Sequence, residues 1–176
     1  MREYLFVFLV ALATTYVLVP LMRTIAVRVG AFTEVRERDV HVVPIPRLGG
    51  VAMFFGYAAA TLAASRMPFL RQVFETGELI GILVGAAVVC LVGAIDDVKE
   101  LDALTKLGGQ LVAAAIIAFA GVQFFSLPLG TVTVLPAPLL VLLTIFVVVL
   151  CINAVNFIDG LDGLAAGLVA IAAGAF

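Results

Sequence analysis

The sequence predicts an all-α polytopic integral membrane protein. Of its 176 residues, 64% are apolar and only 12% are charged, and the mean hydropathy is +1.27. A soluble domain carries roughly 25% charged and about half apolar residues, so the soluble globular class is excluded. Apolar stretches long enough, or nearly long enough, to cross a bilayer recur along the whole chain. The formal net charge of −2 also excludes a basic nucleic-acid-binding protein.

Six apolar stretches are predicted as transmembrane helices, because a span needs about 20 apolar residues. They cover residues 4–29, 48–65, 79–95, 107–125, 137–157 and 162–176. The first is too long for a signal-peptide core and lacks a small-residue cleavage site, so we expect it to be retained. Residues 124–135 alternate apolar and small polar types, which predicts a short β-hairpin at the membrane surface. Because the last stretch stops without a flanking anchor, we expect a truncated chain.

Glycines spaced four residues apart predict close helix packing at two places in the chain. One series is Gly77, Gly81 and Gly85, and the other is Gly163 and Gly167. Small residues at this spacing let two helix backbones approach closely inside a membrane.

The basic residues predict that the N-terminus lies on the outer side of the membrane. The inner loops then cover about residues 30–47, 96–106 and 153–162. Seven Lys and Arg residues fall on the inner side and three on the outer side. Nine of the 12 acidic residues also fall inside. The inner, cytoplasmic face is therefore expected to carry nearly all the polar chemistry.

The first inner loop presents a basic residue on a stiff backbone. Pro44 and Pro46 favour an extended chain in the segment RERDVHVVPIPRLGG. This segment presents His41 and Arg47. An arginine fork suits a phosphate or diphosphate group. Arg47 could equally be an anchor at the inner membrane surface.

The second inner loop contains two adjacent acids, Asp96 and Asp97, expected directly after the third span. A carboxylate at a helix C-terminus is disfavoured by roughly 0.3–1 kcal/mol. A divalent cation or a proton taken from a substrate would explain their presence, and so would an ordinary solvated loop. Lys106 follows at the start of the fourth span and could return over the same site.

The third inner loop carries four polar residues three positions apart in an otherwise apolar segment. They are Asn153, Asn156, Asp159 and Asp162. Each step of three residues turns about 60° around a continuous helix, which would spread them over half the circumference. Gly160 and Gly163 are expected to break the helix and let them converge. Asp162 alone could be an N-cap, but polar groups at membrane depth usually line a cavity or a site.

With these loops in place, the sequence resembles the polyprenyl-phosphate N-acetylhexosamine-1-phosphate transferases, of glycosyltransferase family 4 type. The matching strings are HVVPIPRLGG, DDVKELDALTKLGGQ and NAVNFIDGLDGLAAG. The resemblance runs from about Gly30 to the end of the chain. The first string is more similar to the branch that uses UDP-N-acetylglucosamine than to the phospho-MurNAc-pentapeptide translocases. The resemblance implies that the chain is part of a protein of about ten or eleven spans.

The resemblance also implies an activity. It is the transfer of a sugar 1-phosphate, here GlcNAc-1-phosphate, from a UDP-sugar to undecaprenyl or decaprenyl phosphate, with release of UMP. This is the first membrane step of cell-envelope polysaccharide synthesis, at the cytoplasmic face of the cell membrane. The implied cofactor is Mg²⁺, with Mn²⁺ as the alternative. Phosphoryl transfer requires positioning, a metal ion and cations that offset the charge of the diphosphate.

The site residues follow from the family positions. The implied catalytic residues are Asp96, Asp97, Asp159 and Asp162; the implied substrate-binding residues are His41, Arg47, Lys106 and Asn153; and the implied metal ligands are Asn156 and Asp97. We expect Asp96 to remove a proton from the lipid phosphate, with Asp97 supporting it or the metal. One departure is Asp39, where the family commonly has Lys. The family's later metal-binding Asp and His-rich loop are not in this sequence.

Three other interpretations remain at this point. A phospho-MurNAc-pentapeptide translocase would share the motifs. A secondary transporter would use intramembrane carboxylates for ion coupling. Such carboxylates lie near mid-bilayer, whereas the paired acids of this sequence are expected at the cytoplasmic ends of the spans. An inactive scaffold would have no reason to keep costly polar groups at depth. The sequence separates neither direct displacement from a two-step route nor a monomer from a homodimer.

Overall fold

The structure, a computed structural model, describes residues 2–32, 45–70, 77–124, 127–129, 131–133, 136–159 and 163–175. Within these ranges the chain forms helices and one hairpin, which confirms the predicted helical class. The elements are α1 (Arg2–Val29), α2 (Gly49–Ala64), α3 (Glu78–Lys99), α4 (Ala103–Phe119), β1 (Leu127–Leu129), β2 (Thr131–Thr133), α5 (Ala137–Ile158) and α6 (Leu164–Gly174). The two strands pair antiparallel, as the alternating sequence predicts.

Three of the helices have the length and composition of a membrane span. They are α1, α3 and α5, with 28, 22 and 22 residues. The described helices α2, α4 and α6 are apolar but shorter, with 16, 17 and 11 residues. At 1.5 Å per residue these extend about 24, 26 and 17 Å, less than the roughly 30 Å hydrocarbon core. Large apolar side chains such as Phe8 and Phe146 are exposed, as in a membrane protein.

Successive helices pack against one another, α1 with α2, α2 with α3, α3 with α4 and α4 with α5. The glycine prediction is confirmed for Gly81 and Gly85, where an added Cβ would overlap side chains that follow or belong to α4. At Gly77, Gly163 and Gly167 an added Cβ has no described neighbour within 4 Å. The close approach predicted for these three glycines is therefore not found among the described residues.

The helix ends around the second inner loop differ from the hydropathy boundaries. Helix α3 continues through its predicted end at 95, so Asp96 and Asp97 lie in its last turn rather than in a loop. Helix α4 begins four residues before the predicted 107, which places Lys106 in its first turn. The predicted loop 96–106 therefore shrinks to residues 100–102. Hydropathy marks the end of the apolar surface, whereas the backbone hydrogen bonds continue beyond it.

Local polar contacts form this tight corner. Glu100 adopts a left-handed conformation (φ 48°) and donates its backbone N–H to the Asp96 carbonyl at 2.9 Å, which ends α3. Asp102 then caps α4 by accepting the backbone N–H of Thr105 at 3.1 Å. Because an N-cap side chain satisfies an otherwise unpaired N–H, the new helix can start immediately.

The junction between α5 and α6 contains the predicted break, but at different bounds. Helix α5 continues to Ile158, so Asn153 and Asn156 are helical rather than part of a loop at 153–162. The N-cap position of α6 is Gly163, with φ 77°, and not Asp162. Glycine adopts this left-handed conformation at little cost. Gly160 and Asp162 lie outside the described residues.

Candidate active site

An ion pair joins the end of α3 to the start of α4. Lys106 Nζ lies 2.7 Å from Asp96 Oδ2, and the backbone N–H of Leu101 donates to Asp96 Oδ1 at 3.0 Å. The two side chains are 29% and 22% exposed, so water reaches both only partly. Charge-assisted hydrogen bonds of this kind are stronger than neutral ones. They offset the unfavourable position of a carboxylate at a helix C-terminus.

The neighbouring carboxylate connects α3 to the start of α2. Asp97 Oδ2 accepts the backbone N–H of Leu48 at 3.1 Å. Leu48 is 7% exposed, has φ 76° and packs with Ala26 and Ala31. The hydrogen bond therefore satisfies an N–H that lies beside a small apolar cluster. Both acids that the sequence places at an unfavourable helix end thus accept a backbone N–H, Asp96 from the neighbouring Leu101 and Asp97 from the distant Leu48.

The end of the first inner loop is held by its backbone. The N–H of Arg47 donates to the Ala31 carbonyl at 3.0 Å, and Phe32 and Pro46 form an antiparallel bridge. Arg47 is half-buried and close enough to Asp97 to interact with it electrostatically. Arg47 therefore lies beside the acidic pair. The predicted residue His41 lies outside the described residues, as does Asp39.

A pair of side-chain amides connects α4 to α5. Asn153 Nδ2 donates to Gln110 Oε1 at 2.7 Å, and Gln110 Nε2 donates to Asn153 Oδ1 at 3.5 Å. Gln110 is 4% exposed and lies one turn after Lys106, on the same face of α4. Its role was not recognised from the sequence. An amide in an otherwise apolar helix is costly unless it is paired, and that signal could have identified it.

No hydrogen bond or ion pair among the described residues joins Asn156 or Asp159, at the end of α5, to the acidic pair. Asn156 and Asp159 are exposed at the end of the helix, while Asn153 turns toward α4. Steps of three residues rotate around the helix, which separates their directions. In the described part of the chain, no three His, Cys, Asp or Glu side chains form a group that could hold a metal ion. These residues therefore do not by themselves complete a magnesium site.

Asp102 differs from its acidic neighbours because it is a helix cap at the surface. The hydroxyl and the backbone N–H of Thr105 donate to its carboxylate, and these hydrogen bonds lower the pKa of Asp102 below its ordinary value. Asp102 makes these contacts within its own turn and is fully exposed. It is therefore a matched reference for substitutions at the half-buried Asp96.

Fold and site together define a helical membrane protein with a charged cluster where α2, α3 and α4 meet. Two carboxylates, a lysine and an arginine lie together there, as in sites that position phosphate groups. The family model described as glycosyl transferase family 4 matches residues 79–176, which is more than half of the chain. The chain belongs to this family, and the resemblance found in the sequence is confirmed.

Curated relatives match almost the whole chain. A Mycolicibacterium smegmatis protein named decaprenyl-phosphate N-acetylglucosaminephosphotransferase is 45% identical over 98% of this chain and 44% of its own length. A Mycobacterium tuberculosis protein of the same name is 46% identical with the same coverage. A Bacillus subtilis protein named probable undecaprenyl-phosphate N-acetylglucosaminyl 1-phosphate transferase is 35% identical over 70% of the chain. The chain thus spans less than half the length of its mycobacterial relatives. No solved structure matches it.

Proposed function

We propose that the protein transfers GlcNAc-1-phosphate from UDP-GlcNAc to decaprenyl or undecaprenyl phosphate and releases UMP. The observation that carries the proposal is the Asp96–Lys106 ion pair beside Asp97 and Arg47. The names of the relatives supply the lipid phosphate and the N-acetylglucosamine phosphate. The site would act at the cytoplasmic face of a multi-pass protein in the plasma membrane, as the first membrane step of envelope polysaccharide synthesis.

The chemistry requires few protein groups. An oxygen of the lipid phosphate attacks the sugar-bound phosphorus of the UDP-sugar, a new P–O bond forms, and the bond to UMP breaks. UMP leaves with the electron pair of that bond. At neutral pH the lipid phosphate is largely ionised, so removal of a proton by Asp96 is a minor requirement. Lys106 and Arg47 are the cations of the charged cluster, and we propose that they offset charge on the transferred phosphate and on UMP.

Mg²⁺ dependence is part of the proposal, with Mn²⁺ as the alternative ion. Asp97 and Asn156 offer oxygen atoms of the type that Mg²⁺ prefers. When bound, the ion would neutralise charge on the diphosphate. The hydrogen bond from the Leu48 N–H to Asp97 Oδ2 orients the carboxylate that would hold the ion. Asp159, Asp162, Asn153 and His41 belong to the proposed site through their family positions.

The test uses the full-length protein in nanodiscs, UDP-GlcNAc and undecaprenyl phosphate, with UMP release as the readout. We expect Asp96→Asn to reduce turnover by about 100-fold, because Asp96 holds the Lys106 ammonium in the position from which it would offset charge on the transferred phosphate. Asp102→Asn is the matched control, because it removes one charge from the same corner but keeps an oxygen for the cap. Chelation with EDTA should abolish release, and Mg²⁺ should restore it.

Two outcomes would contradict the proposal. Unchanged turnover in Asp96→Asn would remove Asp96 from the catalytic group. No consumption of UDP-GlcNAc by the wild-type protein would end the assignment, and an arm with UDP-MurNAc-pentapeptide would identify the translocase activity instead.

A further inference from the structure

Gln110 is the buried half of an amide pair whose other half, Asn153, is exposed. Gln110 is 4% exposed on α4, and its Oε1 accepts a hydrogen bond from Asn153 Nδ2 at 2.7 Å. Asn153 Nδ2 also donates to the Val149 carbonyl at 2.8 Å, one turn earlier in α5. A side-chain amide nitrogen carries two N–H groups, so these two acceptors engage both of them.

These contacts fix which way round the Asn153 amide lies. A backbone carbonyl only accepts hydrogen bonds, so the nitrogen of Asn153 and not its oxygen must face Val149. Asn153 Oδ1 then has a single partner among the described residues, Gln110 Nε2 at 3.5 Å, which is longer than a usual N–H···O hydrogen bond. Because Asn153 is exposed, its amide presents an oxygen while both of its N–H groups are engaged.

We propose that Gln110 is a positioning residue, which holds the Asn153 amide so that Oδ1 accepts a hydrogen bond from an N–H or O–H group of the UDP-sugar. The inference rests on the proposed function, because it concerns the donor substrate of that reaction. The family position implies that Asn153 binds substrate, but neither the motifs nor the relatives assign a role to Gln110 or a direction to the hydrogen bond.

The direction of the hydrogen bond identifies the substrate. An ionised phosphate offers only oxygen acceptors, so it would be repelled by an oxygen that faces outward. UDP-GlcNAc has hydroxyl groups on both of its sugars, an acetamido N–H and a uracil N–H, all of which can donate. Of the two substrates in the proposed reaction, the Asn153 oxygen therefore fits the nucleotide sugar and not the lipid phosphate.

The amide pair is adjacent to the charged cluster. Gln110 follows Lys106 by one turn of α4, and residues at this spacing have Cβ atoms about 5–6 Å apart on one helix face. Lys106 holds Asp96 at the end of α3, while Gln110 holds Asn153 on α5. One face of α4 thus supports both a cation for the diphosphate and an acceptor for an uncharged donor group of the same substrate.

Helix packing alone accounts less well for this pair. Amides that only join two membrane helices are expected to be shielded from their surroundings on both sides, because an exposed polar group gains nothing from lipid. Here Gln110 is buried but Asn153 is exposed. Thr144 shows the contrast within α5: it is 4% exposed, and its hydroxyl donates to the Leu140 carbonyl and accepts the N–H of Phe124. Thr144 is therefore a matched control for a purely structural contact.

The test uses the full-length protein, with UDP-GlcNAc binding measured by calorimetry and undecaprenyl phosphate binding by native mass spectrometry. Gln110→Met keeps the chain length but loses both hydrogen bonds, so we expect it to weaken UDP-GlcNAc binding by about tenfold and to leave the lipid unchanged. Gln110→Glu keeps an oxygen acceptor and should restore most of the affinity. Thr144→Val should stay within about twofold of wild type. In turnover, Gln110→Met should raise KM for UDP-GlcNAc and not KM for undecaprenyl phosphate.

Equal weakening of both substrates in Gln110→Met would overturn the proposal, since the amide pair would then only pack α5 on α4. Asn153→Ala is a second variant at an exposed position, and UDP-GlcNAc binding as tight as that of the wild type would also overturn it. If Gln110→Met weakens UDP-GlcNAc binding but the wild type releases no UMP, the positioning role stands and the proposed function fails. If UMP is released and Gln110→Met binds UDP-GlcNAc normally, the positioning role alone fails.

Discussion

The α1–α2 pair has the same kind of hydrogen bond at each of its two ends, but the charged groups around the two hydrogen bonds differ. Near the N-terminus, Glu3 Oε2 accepts the backbone N–H of Leu70 at 3.3 Å. At the other end, Asp97 Oδ2 accepts the backbone N–H of Leu48 at 3.1 Å. The two leucines are 6% and 7% exposed. In both places a carboxylate satisfies the N–H of a buried residue next to a helix end.

The surroundings of these two contacts are different. Glu3 lies next to Tyr4, whose ring meets Phe69 edge-on at 6.2 Å between centroids. Asp97 lies next to Asp96, which holds Lys106, and it interacts with Arg47. A carboxylate that holds a backbone N–H is therefore a folding device at both ends. The second carboxylate and its lysine distinguish the end that we propose for catalysis.

The largest expected effect on turnover comes from substituting Lys106, which lies at the charged end of the α1–α2 pair and has no lysine counterpart at the other end. We expect Lys106→Met to lower UMP release by the full-length protein at least about 100-fold, because it removes a cation from the site of charge development. Arg66→Met, a cation lost from the opposite end, should stay within about twofold of wild type.

A double variant separates catalysis from stability in this prediction. Lys106→Met leaves Asp96 half-buried and without its cation, which destabilises the corner. Adding Asp96→Asn removes that charge, so thermal stability should recover while turnover does not. Recovery of turnover in the double variant would show that Lys106 acts only by compensating Asp96.

Much of the charged end could be predicted from the sequence, because its acidic and basic residues stand close together in short polar segments between apolar stretches. The apolar stretches indicated the helices, and the spacing of Asp96 and Lys106 indicated that the lysine could return over the acid. The helix ends could not be predicted from hydropathy. Helix α3 ends where Glu100 takes a left-handed conformation, and hydropathy carries no information on backbone dihedral angles.

The contacts made by backbone groups were also beyond sequence reasoning. The partner of Asp97 is the N–H of Leu48, which any residue except proline could supply. The partner of Asn153 is Gln110, 43 residues away, and only the packing of α4 on α5 brings the two together. The sequence therefore identified most residues of the candidate site, but it could not predict the hydrogen-bond partner of each carboxylate and amide.

A smaller effect is expected from substituting Asp97 and Glu3, the two carboxylates that hold a backbone N–H at the two ends of the α1–α2 pair. Asp97→Ala and Glu3→Ala should each destabilise the protein by about 1–3 kcal/mol, because each leaves a backbone N–H unpaired. Asp97→Asn and Glu3→Gln keep an oxygen acceptor and should cost less. In UMP release we expect Asp97→Asn to lose about tenfold and Glu3→Gln to stay near wild type. Full activity in Asp97→Asn would restrict Asp97 to its contact with Leu48.

The smallest expected effect concerns the amides of Gln110 and Asn153, which connect the charged corner to α5. A double-mutant cycle with Gln110→Ala and Asn153→Ala should give a coupling energy of about 1 kcal/mol in detergent unfolding. The matched control pairs Gln110→Ala with Thr144→Val. The Thr144 hydroxyl donates to the Leu140 carbonyl and accepts the backbone N–H of Phe124, and since neither partner is Gln110 or Asn153, this substitution should not couple to Gln110.

Turnover in the same variants separates packing from substrate binding at Asn153. If the amide pair positions α5, either single substitution should reduce UMP release equally, and the double variant should be no worse than the singles. A larger loss for Asn153→Ala than for Gln110→Ala would indicate that Asn153 also contacts the substrate, as its family position implies. A coupling energy near zero would show that the 2.7 Å contact between these amides does not stabilise the α4–α5 packing.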